Sequence, residues 1–223
     1  MNDITVSAWF MSGMICNYVG MVYLLTNFMK TRRELRLKGP IQIYNICQVV
    51  FNAYIVYGLY DSFPITNFYG INIAYNDKIR YYVSLHYLSK YIDYIDTVFM
   101  ILRKKNSQVS FLHVYHHASV ILPWGWVVAG GHGNGTSGFG ALINAFIHAL
   151  MYSHYLYTSL GYRNPFKRFL TQAQIAQFFL CVGHSVAVIL YERNVPSKYA
   201  YGELMSHIVF IYLFGKFYLS SYT

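Results

Sequence analysis

Three imidazoles fall within five residues in the stretch FLHVYHHASV: His113, His116 and His117. Steps of three and four put them along one face if the segment is helical. Lys90, Asp93, Asp96 and Thr97 in KYIDYIDT recur at similar intervals, and Lys90 and Asp93, one turn apart and of opposite sign, can neutralise each other. Asn144, His148, Met151, Tyr152 and Tyr155 make a third stripe in NAFIHALMYSHY, with His154 on a neighbouring face, and Thr171, Gln174, Gln177 and Cys181 make a fourth. Three chemistries compete for such groups. A metal centre would want several histidine boxes, whereas the chain has one HxxHH and otherwise widely spaced single histidines, so no metal is expected. A proton relay or transporter could use Lys90, Asp93 and the histidines. Nucleophilic and acid/base catalysis would exploit imidazole, a good nucleophile that also carries protons near neutral pH. His86, His184, His207 and Cys181 read instead as groups joining one helix to another.

The elements that must hold these stripes are membrane spans. Of the 223 residues, 56% are hydrophobic and only 11% are charged, well below the roughly 25% of soluble domains. Runs near the ~20 apolar residues that cross a bilayer occur at about 7–29, 41–60, 81–102, 111–129, 139–160, 169–190 and 203–220, which predicts an all-α integral membrane protein with a single seven-span domain. The first run is too long for a signal-peptide core and lacks a basic stretch before it. Eleven Lys and Arg lie in the first, third and fifth loops, against Lys78, Arg80, Arg193 and Lys198 in the other three. Cytoplasmic loops retain positive charge, so the N-terminus is expected in the lumen and the C-terminus in the cytosol. Net charge is +9, but the basic residues sit in short inter-span clusters, which argues against nucleic-acid binding. At about 1.5 Å per residue, Asp96 and His116 lie about 9 Å in from the cytosolic ends of their spans and His148 about 18 Å, so the stripes can line one pocket tapering inward from the cytosol. The loop GGHGNGTSG contains GxGxxG and the sequon Asn134-Gly135-Thr136. It reads as a flexible turn, because no strand precedes the glycines and the loop is short.

At the same residues the chain resembles a known family. KYIDYIDT, HVYHH, NAFIHALMYSHY and TQAQIAQF are similar, in order, to the four motifs of the ELO family of very-long-chain fatty acid elongases, over about Gly39 to Tyr222. The resemblance implies a multi-pass endoplasmic reticulum enzyme in which six of seven spans form a barrel around an acyl tunnel. It would condense a long-chain acyl-CoA with malonyl-CoA to give a 3-ketoacyl-CoA two carbons longer, with release of CO2 and CoA. No cofactor is implied beyond these two substrates. The mechanism proposed for the family makes His116 the nucleophile that carries the acyl group. On that basis His113 and His117 would orient it and handle protons, and His148 would serve the malonyl or oxyanion position. Asp93 and Asp96 would hold imidazoles, and Lys90, Asn144, Tyr152, His154, Gln174 and Gln177 would contact substrate. Expected partners are membrane lipids and the ketoreductase, dehydratase and enoyl reductase of the elongation cycle, and a homodimer is compatible with the reading.

The chain departs from the family pattern in three places. Asp93 stands where glutamate is usual, His154 where tyrosine is common, and the chain stops at KFYLSSYT, short of the lysine-rich tail frequent in the family. The Val-Tyr pair inside HVYHH looks more like the branch accepting unsaturated chains. The contrasting readings are a non-enzymatic seven-span lipid or proton-coupled carrier and a metal-dependent lipid-modifying enzyme.

Overall fold

Away from water, a backbone satisfies its own N–H and C=O groups most directly as helix. Each expected span is helical in the computed structural model, which describes residues 7–163 and 165–222. The helices are α1 (Ala8–Met29), α2 (Lys38–Ser62), α3 (Asp77–Ile92), α4 (Tyr94–Leu102), α5 (Phe111–Ser119), α6 (Ile121–Ala129), α7 (Thr136–Ser159), α8 (Lys167–Tyr191) and α9 (Ser197–Tyr222). The closest pairings are α2 with α7 and α8 with α9, while α1 lies on α4. By length and apolar character, α1, α8 and α9 can each cross a bilayer. The four other expected spans correspond to α2, the α3–α4 pair, the α5–α6 pair and α7. α1 leaves most of its side chains outward, Trp9 among them at 90% exposed.

Two expected spans are interrupted. The run at 81–102 turns at Asp93 (φ −61°, ψ −16°), where the Asp96 N–H donates to the Asp93 carbonyl at 3.2 Å in a tight 3₁₀-type step. The run at 111–129 breaks at Val120, for a reason written in the sequence. Pro123 has no N–H for the Ser119 carbonyl and its ring crowds that group. Boundaries also shift outward. α2 starts at Lys38 because Pro40 then falls in the first turn, where no donated bond is missed, and α9 starts at Ser197, directly after Pro196, instead of at 203. Ser110 fixes the start of α5 by accepting from the His113 N–H at 3.2 Å, which sets the phase of the histidine face.

An apolar core of Ile55, Leu59, Ile79, Val83, Ile121 and Leu142, with their neighbours, fills the end of the bundle that carries the 63–76 and 130–135 loops. The polar stripes occupy the other half. The sequon residue Asn134 belongs to this packing: its Oδ1 accepts from the Gly135 N–H at 2.7 Å, its Nδ2 donates to the Asn76 carbonyl at 2.9 Å, and it is 8% exposed. Its amide is thus spent on joining two loops. Asn72 makes a similar tie to the α8–α9 turn, bonding Glu192, Tyr191 and Arg193. Gly70 (φ +71°) closes the first of these junctions, and a Cβ there would meet the Gly135 carbonyl oxygen at 2.5 Å. Gly70→Ala is therefore expected to cost about 1–3 kcal/mol and to lower the thermal midpoint in detergent, with helical content unchanged below the transition.

Candidate active site

A buried lysine and a buried carboxylate persist only when paired and hydrogen-bonded. Lys90 and Asp93 are 1% and 2% exposed, with Nζ 3.7 Å from Oδ2. Lys90 also donates to Asn144 Oδ1 on α7 at 2.9 Å. Asp93 is the hub of the network. Its Oδ1 accepts from Gln48 Nε2 on α2 at 2.8 Å and lies 3.0 Å from the Tyr152 hydroxyl, while Oδ2 stands 3.7 Å from His148 Nδ1. That last separation is too long for a hydrogen bond. Tyr152 lies closer to Asp96, at 2.6 Å. One phenolic hydrogen cannot serve both carboxylates fully, and the shorter contact marks Asp96 as its acceptor. Gln48 also donates to the Tyr44 hydroxyl at 3.0 Å, which extends the network to the edge of Tyr152. The turn at Asp93 is thus tied simultaneously to α2, α3 and α7.

The histidine face lies across from this network. His113 Nε2 is 2.8 Å from Thr97 Oγ1, which is 2.9 Å from the Tyr18 hydroxyl, so α1, α4 and α5 share one hydrogen-bonded chain. The His117 ring centre is 4.3 Å from that of His113 and 5.6 Å from that of His116. His116 packs edge-on against Phe210 at 4.9 Å and Phe214 at 5.8 Å. Its Nδ1 is buried and has no hydrogen-bond partner among the described residues, which leaves Nε2 as the nitrogen open to the adjoining space. That space is a cleft bordered by His116, Asn144, Gln177, Phe178, Glu203 and His207 among others. His148 is within electrostatic reach of His116, Lys90 and Asp93, although its Nδ1 too lacks a hydrogen bond among the described residues.

The site residues expected from the sequence therefore divide. Lys90, Asp93, Asp96, Asn144, His148 and Tyr152 form one network, His113, His116 and His117 face it, and Gln177 borders the cleft from α8. The Tyr152 hydroxyl points at the carboxylates instead of into open space. Asp96 accepts from Tyr152, with no histidine contact in its hydrogen bonding. Gln174 donates to the Met151 sulfur at 3.8 Å, and half-buried His154 lies beside Tyr155 nearer the basic end of α7. Both stand apart from the cluster.

Among the groups set aside as packing histidines, His184 bonds the Tyr69 carbonyl at 2.9 Å and His207 the Glu203 carbonyl at 2.8 Å. His86 is different. It is fully buried against Trp124, and both ring nitrogens lack partners among the described residues. Sequence reasoning missed Tyr18, Tyr44 and Gln48, whose partners are remote in the chain, and Glu203, which sat at the edge of an expected span. Among the described residues, no three His, Cys, Asp or Glu side chains converge where they could hold a metal ion.

Similarity to known proteins runs over nearly the whole chain. The family model described as ELO: GNS1/SUR4 family matches residues 4–223. The chain is 43% identical to fatty acid elongase 5 of Leishmania major over 201 residues, which covers 90% of this chain and 80% of that one. It is 40% identical to fatty acid elongase 4 of Trypanosoma brucei brucei over 205 residues, covering 92% and 81%. With human very long chain fatty acid elongase 4 the identity is 36% over 220 residues, covering 92% and 68%.

Proposed function

We propose, from the premise that this chain belongs to the ELO (GNS1/SUR4) family, that it catalyses the condensing step of fatty acid elongation. A long-chain acyl-CoA and malonyl-CoA would yield a 3-ketoacyl-CoA two carbons longer, CO2 and CoA. The single observation that carries this reading is the placement of His116. One imidazole nitrogen borders a cleft directed toward the apolar end of the bundle, beside the buried Lys90–Asp93–Asn144–His148 network. A nucleophile needs a lone pair facing its substrate and a nearby group to manage protons, and both are within this arrangement.

In the first half-reaction His116 Nε2 attacks the thioester carbon, the carbon–sulfur bond breaks, the CoA thiolate leaves, and the acylated ring keeps its Nδ1 proton as an acyl-imidazolium. In the second, malonyl-CoA loses CO2 and its enolate carbon takes the acyl group, which returns His116 as a leaving group. The acyl-imidazolium is a stronger acyl donor than the thioester, and the loss of CO2 drives the second transfer. His113, held through Thr97, and His117 between the two other rings fix the orientation of His116. His148 and the Asn144 amide supply positive edge to the enolate or tetrahedral oxyanion. Asp93 compensates the charge on Lys90 and stands beside His148, and Asp96 is held by Tyr152, so the carboxylates act as positioning groups.

The membrane setting completes the reading: seven spans in the endoplasmic reticulum, six enclosing the acyl tunnel, N-terminus lumenal and C-terminus cytosolic. The basic loops would meet the CoA phosphates, and the product would pass to the reductases and dehydratase of the cycle. Expression in a host lacking its own elongases, fed saturated and unsaturated fatty acids in turn, is expected to give lipids extended by two carbons, with unsaturated feeds favoured. No extended product from any feed would overturn the condensing role and favour a carrier.

A further inference from the structure

Glu203 occupies the junction of two spaces: the cleft that begins at His116, and a smaller one bordered by Val127, His132, Thr136, Val188 and Tyr199. Its carboxylate has no hydrogen-bond or ion-pair partner among the described residues. An acidic side chain inside a membrane span is a functional feature by default, because its desolvation must be repaid by a ligand, a partner or water. Its neighbours on α9 present the same polarity. The Ser206 hydroxyl donates to the Gly202 carbonyl at 2.9 Å, which leaves its oxygen as an acceptor. His207 Nδ1–H donates to the Glu203 carbonyl at 2.8 Å, which leaves Nε2 of the neutral ring as an acceptor too. Across the cleft stands the Gln177 side-chain amide. One wall is thus rich in acceptors and the other carries amide donors, with no hydrogen bond across the gap among the described residues. A purely hydrocarbon chain satisfies neither wall.

We infer that this region is a specificity-determining subsite for acyl chains bearing a hydroxyl group, which donates to Glu203 and accepts from the facing amide. A hydroxyl is the smallest substituent that is donor and acceptor at once, and both functions are called for here. The register follows from α9. Phe210 lies against His116, and Glu203 is seven residues earlier, about 10 Å along the helix axis, so the hydroxyl belongs about 10 Å from the thioester carbon. The inference rests on the condensing reading for the direction of the chain.

Binding tests it without turnover. Thioether analogues of acyl-CoA, which cannot transfer their acyl group, would be titrated calorimetrically against the full chain purified in detergent, with one hydroxyl moved stepwise along the chain. At one position the hydroxylated analogue is expected to bind about tenfold tighter than the plain chain of equal length, the scale of one hydrogen bond. Glu203→Leu should abolish that preference and bind the plain chain at least as well. Glu203→Gln, which keeps the shape and one acceptor, should show an intermediate preference and serves if the leucine variant does not fold. Equal or weaker binding of every hydroxylated analogue to the parent chain, or an unchanged preference in the variants, would overturn the inference. Elongation of plain chains reports separately on the condensing role: its absence with the hydroxyl preference intact would remove that role and leave the subsite.

Discussion

His116→Ala is expected to lower two-carbon elongation by about 10³-fold or more, with little loss of fold. His116 is the nucleophile in the proposed mechanism, and no neighbour can replace a covalent carrier. His113 is engaged with Thr97, and His148 Nδ1 stands 3.7 Å from the Asp93 carboxylate. The structural cost is small because the His116 ring makes no hydrogen bond among the described residues. Its loss forfeits contacts with Phe210 and Phe214 and creates a modest void. Activity and thermal midpoint should therefore separate: elongation falls to background while the melting curve moves slightly. His113→Ala should differ, because it leaves the Thr97 hydroxyl short of one partner and loosens the link to Tyr18. Cys181→Ser is the control for a cysteine route. Elongation should persist in it, since Cys181 is not among the residues bordering the His116 cleft. Full elongation by the His116 variant would remove the acyl-imidazole step.

Lys90→Met should act through the fold first. Removing the cation leaves Asp93 buried, near Asp96 and without its compensating charge, and breaking a buried pair costs about 3–5 kcal/mol. Asn144 Oδ1 loses its donor in the same change. The double variant Lys90→Met with Asp93→Asn removes both charges and is expected to melt above the single variant, although Gln48 and Tyr152 then face an amide. That ordering is the signature of charge compensation: a lysine that merely filled space would give a double variant no better than the single. Thermal unfolding of all four forms of the cycle in one detergent measures the coupling directly. A melting point for Lys90→Met equal to that of the parent chain would show that the pair carries no stability.

The stripes were legible because polar side chains in apolar runs have few reasons to be there, and steps of three and four place them on one face. Lys90, Asp93, Asn144, His148 and the three clustered histidines could be grouped before any coordinates for that reason. Gln48 and Tyr44 could not. An amide or phenol barely disturbs an apolar run, and their partners on α3 and α7 lie tens of residues away in sequence. Spacing also says nothing about where a hydroxyl donates, so Tyr152 could be assigned to a face but not to its carboxylates. The two interrupted helices differ in the same way. Pro123 signals the break at Val120, whereas neither Pro nor Gly marks the turn at Asp93, which is held by contacts to α2 and α7. Glu203 obeyed the rule that exposed the other stripes, but α9 begins at Ser197, so a residue taken for a span edge lies almost two turns inside its helix.

The central claim is a covalent acyl group on one imidazole. It is tested by incubating the purified chain with a long-chain acyl-CoA alone, quenching, and mapping the added mass by peptide mass spectrometry. One acyl group per chain is expected on the peptide containing His116, with its loss on addition of malonyl-CoA and no adduct in His116→Ala. An acyl group on His148 or Cys181, or elongation proceeding with no acylated intermediate, would contradict it.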